Sequence, residues 1–102
     1  GDAGVWVSLN NGNGTFQAPQ LVLGNFGYAA GGWRVERHPR FVADLTGDRQ
    51  ADVLGFGHAG AWVSFNNGKG AFGSLDLKIG NFGYGAGGWR VYKHPRLVVG
   101  PR

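Results

Sequence analysis

Residues 1 to 46 align without a gap onto residues 57 to 102, and 27 of the 46 pairs are identical. The chain is therefore a 56-residue unit written not quite twice: repeat 1 covers 1 to 56 and partial repeat 2 covers 57 to 102, together a single domain. A period of this length marks a solenoid or propeller, whose units cannot bury their apolar faces alone. Any fold must set two near-identical pieces side by side, with the same side chains recurring at equivalent places. The longest shared blocks are GNFGY, starting at 24 and 80, and AGGWRV, starting at 30 and 86; each copy then runs on to HPR.

No segment carries a helical period, and Gly makes up 21 of the 102 residues, too many for a helix to persist. Four short apolar stretches separated by turn chemistry recur instead. Arg40 to Leu45 and Asp52 to Phe56 read as strands joined by a Thr-Gly-Asp turn. Ala61 to Phe65 alternates, with Trp62 and Ser64 on one face and Val63 and Phe65 on the other, and the Asn-Asn-Gly that follows signals a hairpin. Leu75, Leu77 and Ile79 alternate with Ser74, Asp76 and Lys78, as in an outer strand with one wet face. The pattern predicts an all-β chain of β-propeller blades, each a four-stranded antiparallel sheet. One full blade spans 40 to 80 between two half-filled neighbours, and Val98 and Val99 are expected to begin a further inner strand. Uncovered blade faces predict a cyclic homo-oligomer, the ring being completed by copies of the chain itself.

Composition narrows the partners. The net charge is +4, but the ten Lys and Arg are scattered. They gather only at Arg34, Arg37 and Arg40 and at Arg90, Lys93 and Arg96, where His-Pro interrupts them, so no nucleic acid is expected. No apolar run approaches a membrane span and nothing reads as a secretory leader, so a soluble chain without membrane insertion is expected. There is no Cys to supply disulfides or thiolate sites. Residues 24 to 39 are too long and too glycine-rich for a tight turn. They must link one blade's outer strand to the next blade's inner strand, across the seam where pockets form.

Three blocks, VWVSLNNGNGTF from Val5, GNFGYAAGGWRVERHPRF from Gly24 and DLTGDRQADVLGFG from Asp44, resemble in order and spacing the repeats of the Psathyrella velutina lectin-like family, within the FG-GAP or VCBS type of β-propeller. The resemblance implies a seven-bladed ring that binds N-acetylglucosamine-type glycans, with sialic acid as a further class, in pockets between blades, and that carries calcium in some loops. A pyranose offers an apolar face for aromatic stacking and a belt of hydroxyls for paired donors and acceptors. Tyr28, Trp33, Tyr84 and Trp89 could supply rings. Asn25, Arg34, His38 and Arg40, with Asn81, Arg90, His94 and Arg96, could supply polar partners. Gly31, Gly32, Gly87 and Gly88 would let backbone amides come close. The competing reading has Trp33 and Val35 packing the seam while the arginines brace loop carbonyls; for Trp33 both stay open, whereas sugar contact is favoured for the His and Arg set, because polar side chains kept identical in both copies are not needed for packing.

Asp44, Thr46, Asp48 and Asp52 stand at positions 1, 3, 5 and 9 of a loop, with the Gln50 carbonyl at 7, a donor pattern suited to a hard cation such as a structural Ca2+. Arg49 stands where related repeats carry Gly, and the same aspartates would equally cap a turn through their own amides. Catalysis finds no support: no Ser-His-Asp or Cys-His set exists, and His38, His58 and His94 lack metal-ligand spacing. His58 and Asp2 hold equivalent positions before Ala-Gly at the bend between strands and could touch a ligand at a rim, but exchange of a base for an acid argues against a shared essential role. The sequence reads as a non-enzymatic, multivalent carbohydrate-binding module; the alternative is a structural or protein-adhesion scaffold with no sugar site.

Overall fold

The computed structural model describes residues 1–101, which contain no helix and form two antiparallel sheets. β1 (Val5–Val7) pairs with β2 (Gln20–Leu23). β3 (Arg40–Ala43), β4 (Asp52–Phe56), β5 (Ala61–Ser64) and β6 (Asp76–Ile79) form a four-stranded meander in sequence order. The full blade expected over 40 to 80 is thus present, and β1–β2 repeats its second half. Both copies carry the same irregularity: the register shifts between Val5 and Trp6 and again between Ala61 and Trp62. Gly4 and Gly60 precede these shifts at φ near +140°, where a Cβ would overlap the carbonyl oxygens of Leu23 and Ile79. Only glycine serves a strand entry that close.

Turn chemistry closes the hairpins as the sequence suggests. Gly68 N–H and Lys69 N–H donate to the side-chain carbonyls of Asn66 and Asn67, each at 2.8 Å. Ser64 is fully buried, and its hydroxyl donates to the Gly73 carbonyl at 2.6 Å.

The core lies at the seam between repeats. Phe26, Trp33 and Val53 form its buried centre, with Val5, Leu23, Trp62, Phe72 and Leu75 packed against it. Phe26 and Trp33 come from the 24–39 connection of repeat 1, whereas Val53 and Trp62 come from the full blade. Gly55 permits this approach, since a Cβ there would sit 2.6 Å from the Trp33 ring and 2.8 Å from Phe26. The absence of a side chain on β4 thus sets how closely the connection packs on the blade.

Two expectations need correction. Val98 and Val99 do not begin a strand; Leu97 and Val99 are 81% and 85% exposed. No described strand lies beside them to take a ladder of hydrogen bonds, and an extended segment without one is not a strand. The dry face foreseen for the outer strand is also missing: Leu77 and Ile79 are each 44% exposed, and only Leu75, just before β6, reaches the core. No helix of the described residues is long and apolar enough to cross a membrane.

Candidate functional site

The connection between blades is a loop bonded largely within itself, with the Tyr28 and Ala29 N–H groups donating to the Gly1 and Asp2 carbonyls. Asn25 Oδ1 accepts the Phe26 N–H at 2.7 Å and the Trp33 indole N–H at 3.0 Å. Gly27 N–H donates to the Ala30 carbonyl at 2.9 Å, and Trp33 N–H to the Gly27 carbonyl at 3.0 Å. Gly31 sits at φ +98°, where a Cβ would lie 2.5 Å from Asn25 Oδ1 and 2.7 Å from Trp33 Nε1. Phe26 takes φ +59°, costly for a bulky residue, while its ring is 2% exposed. His38 closes the loop with a reciprocal clasp: its N–H donates to the Arg34 carbonyl at 2.7 Å, and its Nδ1 accepts the Arg34 N–H at 3.0 Å.

Repeat 2 reproduces the loop closely. Asn81 Oδ1 accepts the Phe82 N–H at 2.6 Å and the Trp89 indole N–H at 3.1 Å, and His94 clasps Arg90 at 2.7 and 3.0 Å. Phe82 sits at φ +61°. Among the described residues no following blade packs on this second loop, so its conformation follows from its own bonds and from the Gly57 and His58 carbonyls, which accept the N–H groups of Tyr84, Gly85 and Ala86.

Where the first loop meets the full blade, the seam encloses a pocket of about 450 Å³. Asn25, Gly31, Gly32, Trp33 and His38 line one wall; Gly57, His58, Ala59, Trp62 and Leu75 line the other. The histidines join the walls: His38 Nε2 lies 3.0 Å from His58 Nδ1. Behind His58 the Tyr84 ring stacks at 4.8 Å, with the Arg90 and Arg37 guanidiniums 3.6 and 5.0 Å from that ring. Burial holds His38 below its ordinary pKa, and His58, Arg37 and Arg40 push the same way. Because His38 Nδ1 accepts a backbone N–H, its proton must be on Nε2, and His58 Nδ1 must accept. The cavity is sized for a small ligand, with apolar rings on both walls and few polar groups converging.

The remaining sequence-selected residues lie elsewhere. Tyr28 is exposed beneath the Arg34 guanidinium, 3.5 Å above its ring, and Arg34 Nη1 donates to the Tyr28 and Trp33 carbonyls. Arg40 donates to the Phe26 carbonyl at 2.7 Å, and Arg96 to the Phe82 carbonyl at 2.9 Å. Arg90 braces the Tyr84 and Trp89 carbonyls in the same way as Arg34. Trp33 is 6% exposed and belongs to the core, presenting an edge to the pocket. In repeat 2, Asn81, Gly87, Trp89 and His94 line a separate hollow of about 320 Å³ that lacks the second wall; Gly88, at φ +71°, lies beside it. Arg96 instead faces an apolar groove with Phe82 and Trp89. Of the second wall, sequence reasoning offered only His58, as a rim contact, and overlooked Gly57, Ala59, Trp62 and Leu75. Its signal was available, since Gly57, Ala59 and Trp62 are identical to Gly1, Ala3 and Trp6.

The aspartate loop gathers as its spacing suggests: one carboxylate oxygen each from Asp44, Asp48 and Asp52 lie within 4.8 Å of one another. Thr46 Oγ1 is 3.5 Å from Asp44 Oδ1, while the Gln50 side chain packs on Gly68. The loop's amides already engage these oxygens. Asp44 accepts the N–H groups of Thr46, Gly47 and Arg49, and the Arg49 bond above all holds its carboxyl below the ordinary value. Asp52, fully buried, accepts Leu45 N–H at 2.9 Å and Asn66 N–H at 2.8 Å. Arg49 adopts φ +67° where Gly would be unstrained. Asp44 Oδ1 is filled by two N–H donors, but Asp44 Oδ2, Asp48 Oδ1 and both Asp52 oxygens each take one, so a free lone pair remains on every carboxylate; the donor set fits a hard cation while the amides close the turn by themselves.

No protein-family model matches the chain, and no curated protein does. Among solved structures, the chain is similar to a lectin from Agrocybe aegerita, described as showing the structural basis of specific recognition of non-reducing terminal N-acetylglucosamine. The two are 54% identical, with a TM-score of 0.85 over 88% of this chain. This chain spans only 23% of that lectin's length. The chain is therefore similar, in sequence and in fold, to one segment of a known lectin.

Proposed function

We propose that this chain is a non-enzymatic carbohydrate-binding module of a β-propeller lectin, of the Psathyrella velutina lectin-like or FG-GAP type, and that its seam pocket takes a terminal N-acetylglucosamine. The observation that carries this reading is the two-walled pocket at the junction of repeats, within a chain 54% identical to a segment of a lectin described as recognising that sugar. Trp62 and Leu75 offer apolar surface for a sugar face or an acetamido methyl, and the histidine pair and the glycine-rich bend offer polar contacts. Sialic acid is a second ligand class to test at the same pocket. The pocket lining holds no Asp, Glu, Ser, Thr or Cys to supply a carboxylate pair or an activated hydroxyl or thiol, which supports binding without turnover.

We also propose that copies associate, because Val35, Tyr92, Leu97 and Val99 are between 77% and 85% exposed, an unusual set for an isolated small domain. Association would multiply weak sites into avidity. Structural calcium in the Asp44–Asp52 loop belongs to the same proposal. A glycan array followed by calorimetry tests the function: N-acetylglucosamine-terminated glycans should bind, and His58→Ala should weaken them without unfolding the chain. A folded chain with no glycan hits would instead favour the scaffold reading.

A further inference from the structure

The His38–His58 contact has a property that packing alone does not require. His38 is clasped at Nδ1 by the Arg34 N–H, so its one mobile proton points from Nε2 at His58 Nδ1. Both acceptor nitrogens of the pair are thereby occupied. A proton arriving at His58 Nδ1 faces the His38 N–H donor, and a proton arriving at His38 Nδ1 faces the Arg34 amide. Either arrival sets two donors against each other and ends a hydrogen bond. A metal ion is refused on the same ground, because a ligating imidazole donates its second N–H, whereas the second nitrogen of His38 accepts.

The bond also spans the pocket. His38 belongs to the 24–39 connection and His58 to the bend entering β5, and both line the cavity. We propose that the His38–His58 hydrogen bond is a proton-sensitive latch that holds the two walls in binding geometry, so that the pocket releases its ligand as the pair is protonated. This rests on the carbohydrate reading above and deepens it. The surrounding charges favour the neutral state. Arg37 from the connection, Arg40 at the start of β3 and Arg90 from the second loop are cationic, Tyr84 packs on His58, and Glu36 is the one acidic group acting on His38. The second loop supplies an internal reference: His94 keeps the clasp to Arg90, but no hydrogen bond to its Nε2 exists among the described residues.

The experiment is calorimetric titration of N-acetylglucosamine at about pH 7.5 and about pH 5, on the wild-type chain and on His58→Asn, which keeps an acceptor but cannot titrate. Imidazole nitrogen NMR of the ligand-free chain accompanies it. A ligand that excludes one proton loses up to about tenfold in affinity per pH unit below the pair's titration. We expect wild-type affinity to fall at least about tenfold over this range, and His58→Asn to shift that loss to lower pH. NMR should find His38 protonated on Nε2, with its coupling to His58 vanishing at the pH where binding fails. Wild-type affinity equal at both pH values would overturn the latch and leave the carbohydrate reading intact, as would superimposable profiles for the two proteins. Binding at neither pH would overturn the carbohydrate reading; the NMR then decides the latch, which falls if His38 carries its proton on Nδ1 or the bond survives acidification.

Discussion

Trp33 and Trp89 sit in loops with nearly the same internal bonds, yet only one of them is core, so truncating each separates the worth of the loop from the worth of the seam. Trp33 is 6% exposed, packs 4.8 Å from Phe26 and lies against Gly55, and its indole N–H satisfies Asn25. Trp33→Ala removes that burial, leaves a cavity and strips Asn25 Oδ1 of one donor, for a loss of about 3–5 kcal/mol. Trp89 keeps the bond to Asn81 but is only half-buried, and its neighbour Phe82 is 37% exposed. Trp89→Ala should therefore cost about 1 kcal/mol, chiefly the hydrogen bond. Against a total stability of about 5–15 kcal/mol for a chain this size, the first change threatens folding and the second does not. Urea unfolding followed by fluorescence, at concentrations too low for association to cover Trp89, measures both. Losses that agree within about 1 kcal/mol would refute the assignment of the core to the seam.

Acid should weaken the fold in two steps. His38 is held below its ordinary value of 6.5, so the unfolded chain takes up a proton first; its contribution is full above that value and is lost as pH falls through the lowered folded pKa. Asp44, held below 3.8 chiefly by the Arg49 N–H, contributes in full above that value and loses its contribution at still lower pH. A urea midpoint unchanged between about pH 7.5 and pH 5 would contradict the first step. For the aspartate loop, calcium at about a hundred times its dissociation constant should add about 2.7 kcal/mol of stability. Asp48→Asn should remove that gain while preserving calcium-free stability, since Asp48 makes only one bond, to the Gln50 N–H. Coincident melts in calcium and in chelator would exclude the site.

Much of the architecture was legible because it is written locally and twice. Alternating apolar residues and Asn-Gly turns marked the four-stranded blade, and strand-pairing rules do the rest. The loops could be recognised as special from their glycines, and much of their shape comes from bonds spanning eight residues or fewer, such as Asn25 to Trp33 and Arg34 to His38, while the carbonyls of Gly1 and Asp2, and of Gly57 and His58, anchor them from the preceding bend. What failed was the fate of apolar residues at blade edges, Val98, Val99, Leu77 and Ile79. Burial there depends on whether another sheet lies against them, which periodicity does not record.

The sequence by itself determined the repeat, the antiparallel blade and the loop, which forms alike in both copies because its partners, near ones such as Asn25 and Asn81 and more distant ones such as Gly1 and Gly57, recur within each repeat. Only the tertiary structure decided that Trp33 is core while Trp89 is half-open, and that His58, set aside on sequence grounds, closes the pocket against His38 twenty residues away. The reason is physical. A short-range hydrogen bond is specified by the residues that make it, whereas a pocket wall supplied by the next unit exists only once that unit has packed across the seam.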